Sequence, residues 1–75
     1  MNVTVIAETS NFRLTSYGNG IAYALDHLSD PKYAESVFVQ GDDAEAFWGE
    51  YEAARECPLF PDDEHVLAEL WFRYH

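Results

Sequence analysis

The chain has 75 residues, 48% of them apolar, and sets fourteen Asp and Glu against four Lys and Arg, a formal charge of −10. That length suits one small domain, and five Phe, five Tyr and two Trp supply enough ring surface to argue against intrinsic disorder. The negative charge disfavours nonspecific nucleic-acid binding and docking on an anionic membrane, and the single cysteine, Cys57, rules out a disulfide-stapled scaffold.

No basic segment followed by a long apolar stretch opens the sequence, and no apolar run approaches the roughly 20 residues of a membrane span. A soluble protein of the cytoplasm is expected, the host cytoplasm if the chain is phage-encoded.

Residues 2 to 8 alternate, with Val3, Val5 and Ala7 on one face and Thr4, Ile6 and Glu8 on the other, which predicts a strand. Thr9-Ser10-Asn11 reads as a turn. A second strand follows over residues 12 to 17, and Gly18-Asn19-Gly20 supplies the positive-φ residues of a tight hairpin. Residues 21 to 28 read two ways. Ile21, Ala24, Leu25 and Leu28 form a helical stripe, whereas Ile21, Tyr23 and Leu25 alternate with Ala22, Ala24 and Asp26; the hairpin turn just before them favours the strand. Ser29 to Tyr33 is a turn around Pro31, and residues 35 to 40, centred on Val37-Phe38-Val39, form a further strand.

At Gly41 the period changes from two to 3.6. Asp42 precedes Glu45 by three residues, the spacing of a capping box, and Ala44, Phe47, Trp48, Tyr51 and Ala54 fall on one helical stripe. Cys57-Pro58 ends this helix. Asp62, Asp63 and Glu64 put negative charge at the start of a second helix with the stripe Leu67, Leu70, Trp71 and Tyr74, although Val66, Ala68, Leu70, Phe72 and Tyr74 also alternate as a strand would. The architecture predicted is α+β, one domain over residues 1 to 75: an antiparallel three- to four-stranded meander covered on one face by two C-terminal helices.

Tyr17-Gly18-Asn19-Gly20 and Ser36-Val37-Phe38-Val39-Gln40-Gly41-Asp42-Asp43-Ala44, with Phe47 following, resemble a pattern recurring in small proteins of bacteria, phages and other mobile elements. The resemblance spans residues 12 to 55. It implies a meander feeding a capped helix and brings no activity, ligand or catalytic residue. In size, acidity and lack of catalytic motifs the chain is also similar in character to anti-CRISPR and anti-restriction proteins.

The acidic surface is the leading candidate site. Residues 42 to 69 hold ten of the fourteen carboxylates with one basic residue, Arg55. Asp42, Asp43, Asp62, Asp63 and Glu64 are candidate partner contacts within it, although they also sit where helix N-termini favour acids, and a solvated helical surface accounts for them equally well. Glu45, Glu52 and Glu56 fall in one outward row, and Glu52 and Glu56 repel at i,i+4 near the negative end of the helix. Folding gives no reason for that row. It suits docking on a basic groove built for a phosphate backbone.

Most rings are needed for the core, but Phe72 lies off the second stripe and is a candidate contact, for example in a dimer. His65 and Glu69 share i,i+4 spacing without a third ligand, and no GxGxxG, P-loop, GxSxG or HExxH is present, so neither a metal, a cofactor nor an enzyme is expected. The function expected is a small acidic inhibitor or adaptor, of the anti-CRISPR or anti-defence kind. It would be a nucleic-acid mimic on a partner's basic surface, touching neither nucleic acid nor membrane itself, as a monomer or homodimer. The alternative is a homo-oligomeric structural or regulatory protein that uses exposed aromatics and a sheet edge, its acids serving only solubility.

Overall fold

The computed structural model describes residues 2 to 29 and 36 to 74. Four strands, β1 (Val3–Glu8), β2 (Phe12–Tyr17), β3 (Ala22–His27) and β4 (Val37–Gln40), precede two helices, α1 (Asp42–Glu56) and α2 (Asp63–Tyr74). The strands form one antiparallel sheet in the order β1-β2-β3-β4, and α1 and α2 pack together and against β4 and β2 respectively. Both open alternatives therefore resolve: residues 22 to 27 are strand, and residues 63 to 74 are helix. The turn predicted at residues 29 to 33 lies, beyond Ser29, outside the described residues.

Residues directly opposite across an antiparallel pair point to the same face, so the register separates the two sides of the sheet. Phe12 pairs with His27, Leu14 with Leu25, and Ser16 with Tyr23, while Val37 and Val39 pair with Leu25 and Tyr23. These positions, together with Ala7, make the inner face. The core closes when Phe47, Tyr51, Val66, Leu67, Leu70 and Trp71 descend on them from the helices. Phe47 is fully buried, its ring 5.8 Å from Tyr23 and 5.1 Å from Tyr74.

Two local expectations are corrected. A bulge shifts the β1 register between Val5 and Ala7, so Val3 and Val5 oppose Tyr17 and Thr15 on the outer face while Ala7 opposes Leu14 on the inner one. One extra residue, Ile6, inverts the alternation. At α1 the predicted capping box does not form. Gly41 holds the cap position at φ 62°, ψ −133°, a conformation that favours glycine, and no side chain caps the helix. The Gly41 carbonyl accepts from the backbone N–H groups of Ala44 (3.1 Å) and Glu45 (3.3 Å), and Asp42 is the first helical residue. Its charge still complements the helix dipole.

α2 does carry a side-chain cap. Asp62 Oδ1 accepts the backbone N–H of His65 at 3.0 Å and lies 2.6 Å from His65 Nδ1. That imidazole contact first, then the backbone N–H, holds the Asp62 carboxyl below its usual range.

Truncating Phe47→Ala should cost about 3–5 kcal/mol, a large share of the total for a chain of this size, and leave much of the protein unfolded in a urea titration. Phe72→Ala, at an exposed position, should shift the same curve by no more than about 0.5 kcal/mol.

Candidate functional site

In a helix that must cover a sheet the buried positions and the acids of the first turn have a reason to be where they are; Glu52 and Glu56, near its negative end, do not. Ala44, Phe47, Tyr51 and Ala54 are buried and fix the rotation of α1. That rotation turns Glu45, Glu52 and Glu56 outward, all exposed, on the flank of α1 beyond half-buried Trp48. At a rise of about 1.5 Å per residue their Cα atoms are spaced roughly 10 and 6 Å along the axis.

The described cations are all engaged elsewhere. Arg13 Nε donates to Glu8 at 3.3 Å. Arg73 donates to Glu69 at 3.1 Å and to Glu50 at 3.3 Å. Arg55, the one cation on α1, lies over the Tyr51 ring at 5.5 Å from its centre. Among the described residues, no basic group comes within 4 Å of Glu45, Glu52 or Glu56.

Aromatic rings support this flank from beneath. Tyr23 and Trp48 stack nearly parallel, 5.3 Å between centres and 10° between planes, and Trp48 meets Tyr51 at 5.1 Å. Burial raises the Tyr23 phenol pKa, and the Glu52 charge adds to the rise.

The other nominated acids divide. Asp42 and Asp43 are exposed at the start of α1, and Asp62 and Asp63 at the start of α2, so the helices' antiparallel course puts these pairs at different ends of the layer. Glu64 is tied into the fold: the Asn11 backbone N–H donates to Oε1 at 3.3 Å and its side-chain amide to Oε2 at 3.0 Å, clamping the β1–β2 turn to α2. Bonding from the Thr9 hydroxyl first, and then from Asn11, holds the Glu64 carboxyl below its usual range. Phe72 is 82% exposed on the far side of α2 from the core.

Glu50, which the sequence did not single out, joins the helices by accepting from Arg73 and from the Tyr74 hydroxyl. Burial first, and then this bond to Glu50, pushes the Tyr74 phenol up to about 12. His65 and Glu69 are bonded to Asp62 and Arg73 instead of facing a shared ligand. Among the described residues, no group of three or more His, Cys, Asp or Glu is placed to hold a metal ion; His75 lies outside them. Half-buried Cys57 closes the end of α1, its N–H donating to the Ala54 carbonyl at 3.1 Å.

The sequence reading passed over the outer face of the sheet. Val3, Val5, Tyr17 and Phe38 stand there with no helix above them, and the signal was available: Phe38 alternates against Val37 and Val39, which point inward.

No protein-family model, curated protein or solved structure matches this chain. No described helix is long and apolar enough to cross a membrane.

The lowered Glu64 pKa fixes a pH dependence. A carboxyl whose pKa falls on folding stabilises the fold above its unfolded value and loses that contribution as pH drops through its folded value. Glu64→Gln should therefore cost about 1 kcal/mol at pH 7, discounted for partial exposure, with the gap to wild type closing below about pH 4 in denaturant titrations.

Proposed function

We propose that this protein acts by binding: the Glu45–Glu52–Glu56 flank of α1 docks on a basic surface of a partner protein, one that otherwise engages nucleic acid. The observation that supports the reading is that Glu45, Glu52 and Glu56 make no ion pair with any described cation, Arg55 lying over Tyr51 and beside Glu52 and Glu56 without closing on either. Carboxylates spaced 6 to 10 Å apart on a rigid helix resemble, in charge and periodicity, a stretch of phosphate backbone. The concrete version is a phage-encoded anti-CRISPR or other anti-defence inhibitor working as a nucleic-acid mimic in the host cytoplasm, with no catalytic step and no cofactor. The helical layer's concentration of ten carboxylates supports this version.

The test separates the row from bulk charge. With a partner captured from the native host, affinity should fall on the order of ten- to a hundredfold when Glu45, Glu52 and Glu56 are all changed to Gln, at about 0.5–1 kcal/mol per contact. The Asp42→Asn, Asp43→Asn, Asp63→Asn variant has the same net charge and should change affinity by less than about threefold. Wild-type affinity should also fall steeply between 0.05 and 0.5 M salt, in calorimetry or biolayer measurements. Equal losses in the two triple variants would reduce the row to ordinary surface charge.

A further inference from the structure

Apart from exposed Gln40 at the end of β4, the hairpin half of the sheet's outer face is an apolar platform. Val3 and Val5 are 54% and 51% exposed on β1, Phe38 is 56% exposed on β4, and Ile21 is 69% exposed at the adjoining turn. Between them the central strands carry small side chains, Thr15, Ala22 and Ala24, which are buried although no other described element covers them. Their own neighbours cover them: Tyr17 from β2 and Phe38 from β4 reach across β3 until their rings lie 6.1 Å apart. A wholly apolar depression lined by Tyr17, Gly18, Ile21 and Ala22 continues the surface to the hairpin.

Charge is distributed the opposite way. Among the described residues, the charged positions of this face are Glu8, Arg13 and Asp26 at one end, with Glu8 and Arg13 paired to each other. The ten carboxylates of residues 42 to 69 belong to the helical layer and its connection on the opposite side. For a chain of charge −10, this is, among the described residues, a broad surface on which a second identical chain can be met without bringing carboxylates together.

We propose that two copies of this chain associate face to face through the outer surface of the sheet, around Val5, Tyr17 and Phe38, to form a two-fold symmetric dimer. The two helical layers, and the two glutamate rows, then point in opposite directions. Size and electrostatics both permit it. Strands about 4.8 Å apart and about 3.4 Å per residue make a platform on the order of 20 by 20 Å, so the pair removes on the order of 800 Å² from water, the size of a weak, concentration-dependent association. Packed sheets sit about 10 Å apart and each copy is 19 Å thick, which separates the two carboxylate surfaces by several times the Debye length of ~8 Å at physiological salt. The pairing is independent of what the helical layer binds. Its salt dependence has the opposite sign: screening relieves residual repulsion and strengthens the apolar contact, whereas it weakens docking on a basic partner.

Sedimentation velocity from 2 to 200 μM protein, at 0.05, 0.15 and 0.5 M NaCl, tests the proposal. Wild type should pass from monomer to dimer within this range, with a dissociation constant that holds or falls as salt rises. Phe38→Glu and, separately, Val5→Glu should weaken the dimer at least tenfold, since each buries a carboxylate in the contact. Phe72→Glu, on the far side of α2, should leave it unchanged. Both sheet substitutions are at exposed positions, and far-ultraviolet circular dichroism identifies any variant that fails to fold; Val5→Thr, which keeps shape and removes apolarity, then replaces it. A monomer under every condition overturns the proposal and assigns the platform to a different partner. A dimer that survives both sheet variants overturns it in favour of edge-to-edge pairing, and one broken by Phe72→Glu overturns it in favour of a contact through α2.

Discussion

A four-stranded sheet has two faces, and this chain has helices for one. That constraint decides which side chains are buried, where charge goes and what remains exposed. Fifteen residues of α1 and twelve of α2 cover Phe12, Leu14, Tyr23, Leu25, Val37 and Val39. In so short a chain the fill has to be aromatic: Phe47 sits between Tyr23 and Tyr74, and the Trp71 ring lies near those of Phe12 and His27. Rings pack in few orientations, so the rotation of both helices is set by them, and with it the direction of every glutamate on the outside.

Much of this was legible because it rests on periodicity. The alternation of β2 and β4, the positive-φ hairpin at residues 18 to 20 and the stripe of α1 are properties of neighbours in sequence, and all appear in the structure. What was not legible depends on pairing between distant residues. The bulge at Ile6 exists only in relation to β2, and it moves Val3 and Val5 away from Ala7. Gly41 takes the cap that Asp42 was expected to hold, because a glycine at positive φ turns the chain sharply from β4 into α1. Val66 is buried where the stripe of α2 named Tyr74, which is half-buried, its hydroxyl bonded to Glu50. Glu64 looked like one more N-terminal acid, yet Asn11, 53 residues away in sequence, makes it a clamp.

The candidate surfaces follow from the same geometry. A helical layer over one face must put its polar side outward, which accounts for most of the acids. It does not account for Glu52 and Glu56 near the negative end of α1, with Arg55 turned onto Tyr51. The uncovered face cannot carry large inward-facing apolar residues without a lid, and the chain answers with alanines on β3 beneath Tyr17 and Phe38. The result is a molecule with an acidic side and an apolar side, back to back. The partner proposed for the first is basic, and that proposed for the second is another copy of the chain.

This segregation of charge and apolarity is the centre of the account, and amide-resolved surface potentials measure it most directly. Paramagnetic relaxation of the amide protons by a cationic and by an anionic nitroxide cosolute gives a local potential at each residue. A strongly negative potential is expected along the outer side of α1 and the start of α2, and a near-neutral one over Val5, Tyr17 and Phe38. A negative potential of equal depth on both sides of the sheet would contradict it.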